Sequence, residues 1–306
     1  TDKSRDRWPC AKIPILKDTI IMILVTGANG HLGSQTIDYL RKINPEADIA
    51  GLVRSEEKGS ELREQGVELR IGDYTDYASM QSALREIDVV LLVSSSTLEG
   101  RVGQHGNVIK AAEENGVEQI YYSSMLRAEK ELSPLAADHA ETERLLKGSG
   151  IPYTIFRHTF YTEFLPLFLG DAMETGRWTF PSGGEKINLA YREEMAEALA
   201  NGLGEHENHK NRTYEITSSD AYTLDEIAEM LSESAGREIT YTDVSVADFE
   251  QALEQAGLPD DQIAMSVMTA TTFVNGALNF TYDDLETLLG RKPAGVETFI
   301  ESFANQ

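Results

Sequence analysis

The reading of this chain turns on "IMILVTGANGHLGSQTIDYLRK", residues 21–42. An aliphatic run, MILVT (22–26), passes straight into a loop holding Gly27, Gly30 and Gly33, and the loop opens a helical pattern, HLGSQTIDYLRKI (31–43). In a strand, turn and helix of this form the first glycine turns the chain tightly. The second lets backbone approach a bound group, and the third lets the helix pack closely on the strand. Free N–H groups and the dipole at the helix start favour a negative group, so the loop reads as the pyrophosphate cradle of a dinucleotide. Its members are Gly27, Ala28, Asn29, Gly30, His31, Leu32 and Gly33, with His31 contributing its N–H more than its imidazole. A plain structural glycine turn is the alternative, and the sequence downstream decides between them.

Downstream, short β-branched runs alternate with helical stretches. The runs are DIAGLVR (48–54), VELRIGD (67–73), DVVLLVSSS (88–96), VEQIYYSS (117–124) and PYTIFR (152–157). Between them lie the helical patterns 55–66, 76–87, 103–116 and 134–150. This rhythm predicts an α/β fold, a doubly wound parallel sheet of the Rossmann type over residues 22–157. Past Arg157 the rhythm breaks. HTFYTEFLPLFLGDAMETG (158–176) is aromatic-rich, and helical patterns such as 224–236 and 246–257 follow, which predicts a smaller, mostly helical C-terminal lobe over 158–306, with the chain crossing back to the sheet.

Composition excludes several function classes. With 27 Lys+Arg against 51 Asp+Glu the formal charge is −24, a field that repels nucleic acid and anionic membrane surfaces. One cysteine among 306 residues, Cys10, excludes an internal disulfide and any cysteine-pair redox centre, which fits a cytoplasmic protein. No apolar run is long enough to span a bilayer. Residues 1–21, interrupted by two prolines and internal lysines, read as an N-terminal extension ahead of Met22 and not as a signal peptide. Six histidines occur with no metal-ligand spacing, so no metal is expected.

The end of the second strand selects the dinucleotide. An acidic residue there accepts from a ribose 2′-OH, whereas this chain has Arg54, with Lys58 four residues on. A guanidinium suits a 2′-phosphate, so the expected cofactor is NADPH, and Asp73 after the third strand is a candidate for the adenine amino group.

The segments VTGANGHLG, GLVRSEEKG, GVELRIGDYTD, LLVSSS, QHGNVIKAAEENGV, HAETERLLKGSGIPYTIFR and YTEF together resemble the NmrA-like branch of the atypical short-chain dehydrogenases. Within it the chain is most similar to the flavin-free NADPH:quinone oxidoreductases and the triphenylmethane dye reductases. The resemblance runs from Met22 into YTLDEIAEMLSESAGREITY (222–241). It implies cofactor contacts from the glycine loop and Arg54, from Ser94, Ser95 and Ser96, and from the segment His158, Thr159, Phe160, Tyr161, Thr162 and Glu163. Arg192 resembles a position near the cleft that helps hold cofactor phosphate, though a surface arginine at a helix start is an equal reading. The alternatives for the serines and for 158–163 are a polar strand exit and a core-facing aromatic turn.

One departure matters. Ordinary short-chain dehydrogenases carry a Tyr-x-x-x-Lys pair whose tyrosine protonates the carbonyl; aligned on ETERLL, its positions fall on Leu135 and His139. Alcohol-dehydrogenase chemistry and sugar epimerisation are thereby put in doubt. A quinone or cationic dye relaxes the need for an acid, because the hydride adduct is a delocalised anion or a neutral product. Phe160 and Tyr161 are then candidates to stack on a flat acceptor, or else fill the core. His158 is a candidate proton donor, and His139 either contacts a cofactor ribose or carboxamide or is a polar residue facing the cleft. The expected function is an NADPH-dependent reductase of quinones or similar aromatic acceptors. The rival is an NmrA-like sensor of NADP redox state without turnover. No nucleic-acid or membrane partner is expected, and a homodimer stands as an open expectation.

Overall fold

The computed structural model describes residues 21–304, so the N-terminal extension lies, apart from Ile21, outside the described residues. The first half alternates β1 (Met22–Val25), α1 (His31–Ile43), β2 (Asp48–Val53), α2 (Ser60–Glu64), β3 (Glu68–Ile71), α3 (Tyr77–Ala83), β4 (Val89–Leu92), α4 (Arg101–Asn115), β5 (Gln119–Met125), α5 (Ala137–Gly148) and β6 (Tyr153–His158). All six strands expected from the sequence are present. Beyond them come β7 (Phe160–Tyr161), α6 (Leu165–Leu169), α7 (Ala172–Thr175), β8 (Arg177–Thr179), β9 (Leu189–Ala190), α8 (Arg192–Gly204) and β10 (Arg212–Ile216). The chain continues through α9 (Leu224–Ala235), β11 (Thr240–Thr242), α10 (Val246–Gln255), α11 (Asp260–Val274), α12 (Asp284–Leu289) and α13 (Val296–Phe303).

The main sheet is parallel throughout, in the order β3-β2-β1-β4-β5-β6-β10. The chain winds outward from β1 in one direction and from β4 in the other, so the switch point lies between β1 and β4, where such sheets open a crevice at the strands' carboxyl ends. Every residue of β4 and β5 is buried, as a sheet covered on both faces requires. One face packs Ile37 and Leu40 of α1 and Met195 and Leu199 of α8; the other packs Met80 of α3, Val108 of α4 and Leu146 of α5. α8 runs beside α1, tied by the Tyr39 hydroxyl donating to Glu193 at 2.8 Å. Among the described residues no helix is long and apolar enough to cross a membrane.

β10 is a strand that the sequence does not separate from its helical surroundings. It lies at the sheet edge and only Ile216 of its five residues is buried, so RTYEI carries no continuous apolar run. Buried charge ties it to β6. The Arg157 guanidinium binds both oxygens of Glu143 on α5, at 2.8 and 2.7 Å, and Glu215 on β10 at 2.8 Å, with Glu129 also in contact. Burial alone would push the Glu143 carboxyl up, but hydrogen bonds from Arg157 and Ser124 outweigh it and hold the group below the usual range. A separate core fills the C-terminal lobe, where Trp178, Phe180, Leu231 and Phe273 pack together and Trp178 donates its indole N–H to the Phe168 carbonyl at 2.8 Å.

Candidate functional site

A cleft of about 530 Å³ opens at the switch point. Its floor is the glycine loop. Gly27 has φ +58°, a left-handed conformation that favours glycine, and a Cβ on Gly33 would run into the Gly27 carbonyl, so both positions are specified sterically. Gly30 is the N-cap of α1 and supplies no capping side chain, and the first turn of α1 holds no acidic residue. The N–H groups of His31, Leu32 and Gly33, which have no intrahelical acceptors, are thereby left to an anion. The neighbouring start of α8 differs: its Arg192 N–H donates to both Glu163 oxygens at 3.2 Å, and Glu193 and Glu194 fill its first turn. Of two adjacent helix N-termini, only α1 is open to phosphate.

Arg54, exposed at the end of β2, lines one end of the cleft with Asp73. Asp73 Oδ1 accepts from the Thr75 N–H at 2.9 Å and the Thr75 hydroxyl at 2.7 Å. Those bonds, with a smaller contribution from Arg54, hold its carboxyl below the usual range. Asp73 is therefore an ionised, oriented acceptor at neutral pH. Ser94, Ser95 and Ser96 line the cleft too, as do Tyr161, Phe164 and Arg192. Burial pushes the Tyr161 phenol up to about 12, so it stands protonated in the cleft.

The structure thus brings together Gly27, Asn29, Gly30, His31, Leu32, Gly33, Arg54, Asp73, Ser94, Ser95, Ser96, Tyr161 and Arg192. Other residues singled out in the sequence lie outside the lining. Ala28 is buried beneath the loop, and Lys58 is exposed beyond Arg54, its N–H donating to Ser55 Oγ at 3.3 Å. Thr159 is buried and donates to the Asn188 carbonyl at 2.6 Å, and Thr162 is buried with its hydroxyl unpartnered among the described residues. Glu163 serves the α8 start. Phe160 turns into the lobe core, against Phe168 and Phe273 at ring separations of 6.3 and 6.1 Å, because β7 alternates its two side chains and Tyr161 takes the cleft side.

The two candidate histidines are interior groups. His158 is 6% exposed, its Nε2 has no partner among the described residues, and burial pushes its pKa down to about 3. His139 accepts or donates at Nδ1 with the Tyr122 hydroxyl at 2.8 Å and meets Arg101 at 3.5 Å; burial and the Arg101 charge push it down to about 3. Both are neutral near pH 7. Neither is a ready source of an imidazolium proton.

Tyr74, Thr75, Thr97, Gln104 and Phe164 also line the cleft and were not singled out from the sequence. All but Thr97 stand in segments that carry the family resemblance, GDYTD, QHGNVI and YTEF. Tyr74 donates to the Val93 carbonyl at 2.9 Å and also contacts the Thr26 hydroxyl, which joins the ends of β1, β3 and β4.

Comparison with known proteins agrees with this geometry. A model of the NmrA-like family matches residues 20–302. Quinone oxidoreductase 2 of Escherichia coli (strain K12) is 38% identical over 267 residues, covering 87% of this chain and 92% of that protein. The crystal structure of an NADPH-dependent quinone oxidoreductase from E. coli complexed with NADPH superposes with a TM-score of 0.88 at 35% identity, covering 92% of this chain and 99% of that one. The triphenylmethane reductase of Citrobacter sp. complexed with NADP(H) gives a TM-score of 0.85 at 34% identity, over 92% and 99% of the two chains. With the family model matching nearly the whole chain and the glycine loop, switch point and arginine where that fold needs them, the chain belongs to the NmrA-like family.

Proposed function

We propose that the chain is an NADPH-dependent reductase of quinones or similar flat conjugated acceptors, working without flavin or metal. The observation that carries it is the division of charge along one cleft: an open α1 N-terminus in the middle and an exposed Arg54 at the end of β2. These donors fit a pyrophosphate and a 2′-phosphate respectively. The likeness to quinone oxidoreductases at 38% and 35% identity supports the substrate class.

Bound NADPH supplies a hydride to the acceptor. The chain's own residues bind and orient. Arg54 pairs with the 2′-phosphate, Asp73 accepts from the adenine amino group, and the α1 start with Arg192 neutralises the pyrophosphate. Tyr161 and Phe164 give the cleft an aromatic wall, worth about 0.5–1.5 kcal/mol per offset ring pair. Leu135 and His139, at the positions of the usual catalytic pair, supply neither phenol nor ammonium. Catalysis then rests on placing donor and acceptor together in a desolvated site. The single cysteine in 306 residues supports a reducing, cytoplasmic setting.

The test is NADPH oxidation by the purified, flavin-free protein, with and without a small benzoquinone or naphthoquinone, and again with NADH. Quinone-dependent oxidation with NADPH preferred is expected. Tight NADP binding without turnover for any acceptor would move the assignment to a redox sensor.

A further inference from the structure

β4 ends at Leu92, and the chain continues along the cleft as Val93–Ser96. Three successive N–H groups of that exit are taken by side chains from three different places. Val93 N–H donates to Thr26 Oγ1 at 2.9 Å, Ser94 N–H to Ser123 Oγ on β5 at 2.8 Å, and Ser95 N–H to His105 Nε2 on α4 at 2.9 Å. Side chains here replace the strand neighbours that would otherwise accept these bonds.

The Ser95 bond determines the state of His105. A backbone N–H can only donate, so Nε2 must hold a lone pair and Nδ1 must carry the proton. Nδ1 accordingly lies 2.9 Å from Thr142 Oγ1, whose own hydroxyl donates to the Asp138 carbonyl at 2.8 Å. The relay therefore has one direction, from Ser95 through His105 and Thr142 into the backbone of α5. His105 is completely buried, with the Tyr74 and Tyr122 rings edge-on at 6.2 and 5.5 Å. Burial and the nearby Arg101 guanidinium push its pKa down to about 4, which keeps the imidazole neutral. A protonated Nε2 would set donor against donor.

Resting on the reading of this cleft as an NADPH site, we propose that His105 is a positioning residue for the cofactor. By withdrawing the Ser95 N–H, in concert with Thr26 and Ser123, it leaves the β4 exit presenting serine hydroxyls and carbonyls to the cleft. With the N–H groups of Val93, Ser94 and Ser95 engaged, such a wall offers carbonyl acceptors to the hydroxyl-bearing and amino-bearing parts of the cofactor and has three fewer backbone donors for phosphate. The anionic groups are thereby directed to the α1 start and Arg54, which sets the direction in which the dinucleotide lies.

Two substitutions separate this from simple packing. His105→Phe keeps a ring in the site but removes the acceptor, and His105→Gln restores a side-chain carbonyl. In His105→Phe the Kd for NADPH should rise about tenfold, kcat at saturating NADPH should stay within about twofold, and exchange of the Ser95 amide hydrogen should accelerate. His105→Gln should recover most of the affinity. A Kd in folded His105→Phe within about twofold of the unmodified protein, or no recovery in His105→Gln, overturns the proposal. If His105→Phe does not fold, Thr142→Val, which removes the acceptor of the Nδ1 proton, should weaken NADPH in the same direction, and an unchanged Kd overturns it. Absence of NADPH binding by the unmodified protein overturns the cofactor reading itself, a result distinct from normal binding by the variants.

Discussion

The Arg192 guanidinium lies over the Tyr161 ring, 4.8 Å from its centroid, and 5.8 Å from that of Phe164. It makes no ion pair among the described residues, and Glu163 accepts from the Arg192 backbone N–H instead. The stack holds the guanidinium at the cleft.

Arg192→Leu should therefore raise the KM for NADPH about fivefold while changing kcat little, since a cation–π and phosphate contact is made in ground and transition states alike. Steady-state kinetics with a fixed quinone measures it. A fall in kcat at unchanged KM would contradict the phosphate role.

Arg54 makes no ion pair among the described residues either. Arg54→Glu should raise the KM for NADPH by at least about tenfold and that for NADH by less than about twofold. Equal responses of the two cofactors would contradict the 2′-phosphate assignment.

The glycine loop tolerates no side chain at Gly33, whose Cβ would meet the Gly27 carbonyl. Gly33→Ala should weaken NADPH binding by at least about tenfold, because the backbone of loop or helix must move to make room. Titration of NADPH fluorescence reads the loss, and unaltered binding would show that the loop yields without cost.

Buried imidazoles contribute to the acid limit of stability, and burial lowers His206 and His209 as well. His105 is held near a pKa of about 4 and His139 and His158 near about 3, all below the free value of 6.5. Below about pH 6.5 the unfolded chain binds protons that the folded chain refuses, so folding stability falls as pH falls, by up to roughly 1.4 kcal/mol per pH unit for each group. Thermal unfolding between about pH 7.5 and 5.5 should show a declining Tm, and His158→Phe should flatten the slope. A Tm independent of pH in that window would mean that the imidazoles gain protons without unfolding.

Breaking the Arg157 cluster should cost more than removing it. Glu143→Gln leaves a buried guanidinium short of a partner and should destabilise by about 3–5 kcal/mol, whereas Arg157→Met together with Glu143→Leu should be less damaging. Denaturant unfolding of the single and double variants distinguishes the two, and equal losses would refute the buried-charge argument.

The fold was largely legible along the chain because its decisive signals are local. The run MILVT, the glycines at 27, 30 and 33, and the five later apolar runs each report their own strand or turn, and a fully buried parallel sheet makes such runs continuous. Arg54 and Asp73 were legible for the same reason: each follows directly from the strand that delivers it. Chemistry at one strand end needs only that strand's register.

What sequence could not decide is which side chain turns toward the cleft. Phe160 and Tyr161 are adjacent, yet one fills the lobe core and the other lines the cleft, since β7 alternates and its register against β9 assigns the faces. His139 and His158 resembled site residues by position but are interior groups whose protons are suppressed by burial. The edge strand β10 carries too few buried residues to announce itself, and it is recognised by its pairing with β6. The clamp of His105 on Ser95 joins α4 to the β4 exit, and it continues to Thr142 on α5. Such relationships follow from three-dimensional packing, where partners far apart in the chain decide protonation, orientation and access, and no local pattern encodes them.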